Sequence, residues 1–217
     1  MKIAGALRCA RFKRILTILL IIISFNIDVS AKGESADADY DVTFGIEWGY
    51  VATIQSGYHY NFFAPEGYRV DDYGNNFGHH ANADMYFHIG YDMGQYWNLS
   101  LYAGYAGIRN IHKAIPVSIR ATRYFNAGKN HDRWFMFMDA GSGISIKKPV
   151  QEIAVGKIGG GYRLALSRTT GLAFLMSARM TYTHPEIIYD KQPVSIDKIN
   201  RCNAFLTAIS LGISLTF

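Results

Sequence analysis

Seven charged residues and a histidine fall on the polar positions of segments that otherwise alternate between apolar and polar side chains: Glu47, Asp84, His88, Arg120, Asp139, Lys157, Arg163 and Arg179. Three acids and four bases spread over several segments suit a confined interior, because charges taken out of bulk water must be paired or stay hydrated. Two kinds of chemistry follow. The residues form an ion-paired plug that fills the interior, or they line a conduit for protons or small ions.

Histidine offers a second chemistry. His59, His79, His80, His112 and His184 all lie near segment ends or in connections. A histidine beside a serine or aspartate can drive hydrolysis or acyl transfer on lipid. No nucleophile motif and no His-x-Ser signature accompanies them, so no catalytic residue is assigned and the chain is read as a non-enzyme. His79 and His80 are adjacent, so on a strand they point to opposite faces and make a poor metal pair. No metal or cofactor is expected. The run 156–161 (Gly-Lys-Ile-Gly-Gly-Gly) resembles a phosphate loop only in composition, since the alternation continues through it and no helix follows.

A third group could bind a partner. Phe62, Phe63, Tyr68, Tyr73 and Phe77 stand among Gly, Asn and Asp. Aromatic side chains on such a polar loop can anchor a protein, a glycan or a lipid head group, or they pack on one another.

The elements that position these residues alternate with period 2, the signature of half-buried strands. Eight segments do so: 42–60, 82–92, 97–105, 115–125, 134–145, 154–165, 172–182 and 205–217. In the last, Phe205, Thr207, Ile209, Leu211, Ile213, Leu215 and Phe217 share one face, and small or polar residues share the other. In the fifth, Phe135 to Met138 are all apolar, and Asp139, Gly141, Gly143 and Ser145 fix the polar parity. Arg123 falls on an apolar parity near a strand end, where a long side chain can reach an interface. With both termini periplasmic, as in an outer-membrane barrel, outside connections (61–81, 108–114, 146–153, 184–202) alternate with inside turns (93–96, 126–133, 166–170), and the first and last outside ones are the longest.

The N-terminus reads as a secretory signal. A basic stretch with Lys2, Arg8, Arg11, Lys13 and Arg14 precedes an apolar core at 15–25, and Val29-Ser-Ala31 supplies small residues for cleavage. The expected organisation is a signal peptide at 1–31, a short periplasmic segment at 32–40 and a β-barrel at 41–217. The signal holds five of the 22 basic residues and only Asp28 of the 17 acidic ones, so most of the formal charge of +5 goes with it. The basic pI therefore gives no argument for nucleic acid. Cys202 alone remains after cleavage, as a buried thiol or an intermolecular disulfide.

The apolar faces carry aromatics at both ends. Tyr91, Trp97, Trp134, Tyr162 and Phe217 fall at the periplasmic ends, and Tyr58, Tyr60, Tyr105, Tyr182 and Phe205 at the outer ends. Two aromatic girdles around an aliphatic band match the two interfaces of a bilayer. A soluble ligand-binding barrel with the apolar face inward would alternate in the same way, but the girdles and the glycine-rich polar face count against it.

With these features, including Leu99-Ser-Leu-Tyr-Ala-Gly-Tyr105, Ile115-Pro-Val-Ser-Ile-Arg-Ala-Thr-Arg-Tyr-Phe125 and the terminal aromatic, the chain resembles the small eight-stranded outer-membrane β-barrels of Gram-negative bacteria, the OmpA- and OmpX-type group. The resemblance implies an all-β, eight-stranded, antiparallel up-and-down transmembrane barrel in the outer membrane. It further implies contact with outer-membrane lipid and recognition of Phe217 by the barrel-assembly machinery. The expected role is structural or surface-interacting, toward an extracellular protein or glycan, through connections 61–81 and 184–202. A narrow channel and a lipid-modifying enzyme are the alternatives.

Overall fold

The computed structural model describes residues 42–109, 112–126, 131–146, 152–167, 169–190 and 192–217. The expected signal peptide and the segment 32–40 lie outside the described residues. The chain forms β1 (Val42–Phe63), β2 (Arg69–Met93), β3 (Trp97–Arg109), β4 (His112–Tyr124), β5 (Arg133–Ser145), β6 (Glu152–Ala165) and β7 (Gly171–Thr183). Two short strands, β8 (Ile188–Tyr189) and β9 (Gln192–Pro193), and a 3-10 turn at Ile196–Lys198 precede β10 (Ile199–Thr216). β1 to β7 and β10 close into one barrel in the order β1-β10-β7-β6-β5-β4-β3-β2. Each of these strands is antiparallel to both neighbours.

Closure ties down the last residue. Phe217 donates to the Phe44 carbonyl at 2.7 Å and accepts from Phe44 N–H at 3.0 Å, and the two rings stack 5.6 Å apart. Within the barrel the apolar parity faces outward: Phe87, Ile119 and Leu211 are all more than half exposed, while Arg120 is 2% exposed. This inverts the pattern of a soluble barrel, whose apolar face would be the buried one.

Strand length is uneven. β3, β4, β5 and β7 have 13 residues each and β6 has 14, against 22 in β1 and 25 in β2. β2 pairs with β3 only over Asp84 to Met93, yet pairs with β1 as far as Arg69 opposite Phe63. The expected loop 61–81 is thus mostly a β-hairpin that continues beyond the barrel wall, and only residues 64–68 turn. Its sequence hid this because Asp, Asn and Gly break the apolar alternation on β2, while the aromatic side chains of β1 supply the strand-forming surface opposite. Pro65 and Gly67 make the turn, with Gly67 at φ +92°, where a side chain would be strained. The connection expected at 184–202 also shortens, because β10 begins at Ile199.

A second correction concerns parity. The pairing of β1 skips Ile54, with Thr53 opposite Ala208 and Gln55 opposite Thr207. Such a bulge shifts every later side chain to the other face. Tyr58 and Tyr60, expected in the outer girdle, pair with Ala204 and Cys202 on the interior parity and stack on each other at 4.9 Å. Tyr50, before the bulge, takes the outward position and lies 3.0 Å from His79 Nε2.

Candidate functional site

The lumen network is built by register. Arg120 on β4 pairs with Asp139 on β5, Asp139 with Lys157 on β6, and Lys157 with Arg179 on β7. Four adjacent strands therefore place three cations and one acid in one lateral row. Across the lumen, Glu47 on β1 and Asp84 on β2 reach that row. Arg120 holds the Glu47 carboxylate through two nitrogens, Nη1 at 2.5 Å and Nη2 at 3.1 Å, and its Nη2 also meets Asp139 Oδ2 at 3.1 Å. Lys157 Nζ lies 3.3 Å from Asp84 Oδ2 and 3.9 Å from Glu47 Oε1, and Arg179 Nη1 lies 3.7 Å from Asp84. All six side chains are buried.

Aromatic rings fill the space between the charges. The Arg120 guanidinium sits 3.9 Å from the centre of Tyr102 and 4.3 Å from that of Phe137, and Lys157 Nζ lies 4.1 Å over Tyr86. Each contact is a cation–π pair in a desolvated setting. Glycine makes the room. A Cβ on Gly49 would come within 2.7 Å of Asp84 Oδ1, and one on Gly161 within 2.7 Å of the Phe135 ring.

Two of the eight expected lumen residues lie outside this knot. His88 is buried and stacks on Tyr102 at 4.8 Å. Arg163 lines a cavity of about 40 Å³ toward the end where Phe217 lies, together with Asp92, Arg133, Tyr124 and Asn98. The sequence pattern missed this lower tier. Arg133 was expected in a turn, but it opens β5, is 2% exposed, donates to the Gln95 carbonyl at 3.0 Å and lies 3.4 Å over the Tyr124 ring. Asp92 accepts from Asn98 Nδ2 at 2.7 Å. Its even number on β2, shared with Asp84 and His88, was the available signal.

The exterior is the converse. Outward positions carry Met, Leu, Ile and Val, with Tyr91, Trp134 and Phe217 exposed at the end that holds the barrel's last residue. There, Trp134 meets Tyr162 at 4.9 Å, and Arg123 lies 5.6 Å from the Trp97 ring. A closed sheet leaves no backbone edge to lipid, and an apolar outside with charges inside suits hydrocarbon around the wall. This is an outer-membrane β-barrel. No family model matches the chain, and no curated protein matches it. Among solved structures, the barrel is similar to outer membrane protein OprG from Pseudomonas aeruginosa, with 9% identity, 81% of this chain and 95% of that chain covered, and a TM-score of 0.44. It is also similar to Neisserial surface protein A, with 10% identity, 80% and 97% covered, and a TM-score of 0.41. The outer membrane protease OmpT from Escherichia coli matches at 9% identity, 86% and 99% covered, and a TM-score of 0.34.

The partner-binding candidates divide on the hairpin. Tyr73 and Phe77 are 77% and 75% exposed, and Phe63 and Tyr68 are also exposed. Phe62 is buried, which removes it as a free anchor. Its ring packs edge-on to Tyr189 at 5.6 Å, and the Tyr68 and Tyr189 hydroxyls share a hydrogen bond. That bond raises the Tyr189 hydroxyl to about 12. These two contacts strap the 184–198 segment to the hairpin.

The rim histidines separate rather than converge. His59 lies 2.8 Å from Asp71 and 3.0 Å from Arg201 Nη1, and its hydrogen bond holds the Asp71 carboxyl below the usual range. His184 Nδ1 donates to the Cys202 carbonyl at 2.5 Å and lines an outward groove of about 620 Å³ with Ser142, Glu152 and Tyr182. His80 faces the interior parity opposite Thr53, and the His112 side chain lies outside the described residues. The Cys202 thiol is half-buried, donates to the Pro185 carbonyl and is pushed up to about 11 by burial. Among the described residues, no three His, Cys, Asp or Glu side chains gather as a metal site.

Proposed function

We propose that this barrel is a plugged scaffold that works as a surface-interaction protein, presenting the β1–β2 hairpin and the strapped 184–198 segment to an extracellular partner. The observation that carries this reading is the excess length of β1 and β2. About 9–11 residues suffice for a tilted strand to cross a bilayer, so roughly half of each extends past the membrane. Tyr73 and Phe77 are exposed on that extension, where aromatic anchors favour protein or glycan contact.

The charged row fits a plug better than a conduit. Arg120 is clamped between two rings and two carboxylates, and moving it would strand Glu47 and Asp139 without their chief cation. Tyr91, Trp97, Trp134, Tyr162 and Phe217 seat the periplasmic end at the lipid interface.

The test is a photo-crosslinking residue placed at Tyr73 or Phe77 in intact cells. Discrete adducts are expected. Absence of adducts, combined with single-channel steps from the purified protein in planar bilayers, would favour the narrow channel.

A further inference from the structure

The outward end of β2 is a sheet edge that no strand of the described residues covers. From residue 70 to residue 81 the strand pairs with β1 on one side, and among the described residues no strand pairs on the other side, because β3 pairs from Asp84 and its Gly107 lies against Asn82 and Ala83. Unpaired strand edges are templates for another strand, and proteins blunt them with lysine, proline or bulges. This stretch, Val-Asp-Asp-Tyr-Gly-Asn-Asn-Phe-Gly-His-His-Ala, contains no lysine, arginine or proline, and its one irregularity against β1 lies between Phe77 and His80.

The edge is also complementary to itself. Place Asn75 opposite Asn75 of a second copy in an antiparallel pair. Tyr73 then falls opposite Phe77, and Asp71 opposite His79, twice over and on one face, because directly opposed residues share a face. Tyr73 and Phe77 are the two most exposed aromatic side chains among the described residues. Both partners of each match therefore come from this one strand: aromatic against aromatic, and acid against histidine.

Direction then selects where the second copy lies. An antiparallel pair reverses the strand, and the hairpin continues the barrel strands outward. A copy in the same membrane, turned about the membrane normal, presents its β2 in the same sense and cannot form this pair. A copy in a facing membrane presents it reversed. We propose that the open edge of β2 pairs with the same edge of a second copy displayed on a facing membrane, joining two surfaces by an intermolecular sheet. The inference rests on reading the hairpin as a surface-interaction element and names its partner.

The experiment uses cells displaying the full chain in a Cys202→Ser background, in two populations with different epitope tags, mixed under mild oxidation. Directly opposed residues in an antiparallel pair lie about 4.5–5.5 Å apart at Cα, within disulfide reach. Asn75→Cys is expected to give a covalent dimer carrying both tags, and Tyr73→Cys cells mixed with Phe77→Cys cells are expected to do the same. Clumping of cells should be lost with Asp71→Lys. It should return when Asp71→His is combined with His79→Asp, an exchange that keeps the pairing and reverses its sense. If heat-modifiable, folded variants give no dimer, or only dimers with a single tag, self-pairing across membranes is wrong. Photo-adducts to other proteins at Tyr73 would then leave the surface-interaction role standing, whereas their absence as well would end both.

Discussion

Arg120 and Glu47 lie 73 residues apart in the chain and three strands apart around the wall, yet the guanidinium grips the carboxylate through two nitrogens at 2.5 and 3.1 Å. The pair spans the lumen, so it braces β4 against β1 in a way that backbone pairing between neighbouring strands cannot. A planar fork suits this better than a point charge, because the same cation also serves Asp139 on the adjacent strand.

Arg120→Met should therefore cost about 3–5 kcal/mol, the range for breaking a buried ion pair from one side. Arg120→Lys should recover part of the loss, since lysine keeps the charge without the fork. Thermal unfolding of the purified barrel in detergent, followed by its heat-modifiable gel mobility, measures both. An Arg120→Met barrel as stable as the parent would mean that the row is hydrated and free to move.

Arg179→Met should cost less than Arg120→Met. Arg179 approaches Asp84 at 3.7 Å, but Lys157 already holds the same oxygen at 3.3 Å. Removing the arginine leaves Asp84 paired and relieves a buried cation flanked by another. The same unfolding assay decides, and an Arg179→Met loss equal to that of Arg120→Met would show that the row acts as one unit with no dominant clamp.

Gly49→Val should disturb Asp84 directly. A Cβ there already reaches 2.7 Å from Asp84 Oδ1, and the larger branches intrude further. The expected result is lower stability, rescued in part by Asp84→Ala, which vacates the space. A double-mutant cycle measures the coupling, and simple additivity would place the two side chains apart.

The sequence made the eight barrel strands legible because period 2 is a property of the pleat and survives in each segment. The mid-lumen charges were legible for the same reason: Asp84 on β2 and Asp139 on β5 could be placed on the interior parity without knowing what they met. What they met was not, since Arg120 finds Glu47 through the stagger of a closed sheet and not through any local spacing. The hairpin looks like a loop in the sequence because Asp71, Asp72, Asn75 and Asn76 are loop-type residues, yet a strand paired on one side tolerates them. Alternation alone puts Tyr58 and Tyr60 outside, because a single unpaired residue, Ile54, leaves no mark in the order of residue types.

That bulge is itself testable. Deleting Ile54 should remove the bulge and leave Tyr58 and Tyr60 on the interior side, because Gln55 then follows Thr53 in plain alternation, as its partner Thr207 already follows Ala208. Cysteine placed at position 58 in a Cys202→Ser background should then keep its reactivity toward a lipid-soluble maleimide, equal with and without Ile54. A gain in labelling would mean that Tyr58 has turned to the outer side and that Ile54 is not the unpaired residue that sets its face.

Acid should loosen the hairpin through Asp71. The hydrogen bond with His59 holds the Asp71 carboxyl below its ordinary value of 3.8. A carboxyl depressed in the folded state contributes its stabilisation in full above that ordinary value, and loses it as pH falls through the lower folded value. The His59–Asp71 contact should therefore persist as pH falls to about 3.8 and give way only below it. Asp71→Asn should abolish the transition while leaving the barrel folded. The carboxyl carbon resonance of Asp71, followed by NMR on the micelle-bound protein, reads the midpoint. A midpoint at or above the ordinary aspartate value would mean that His59 does not hold the carboxylate, and that the hairpin owes its order to backbone pairing and to the Tyr68–Tyr189 strap.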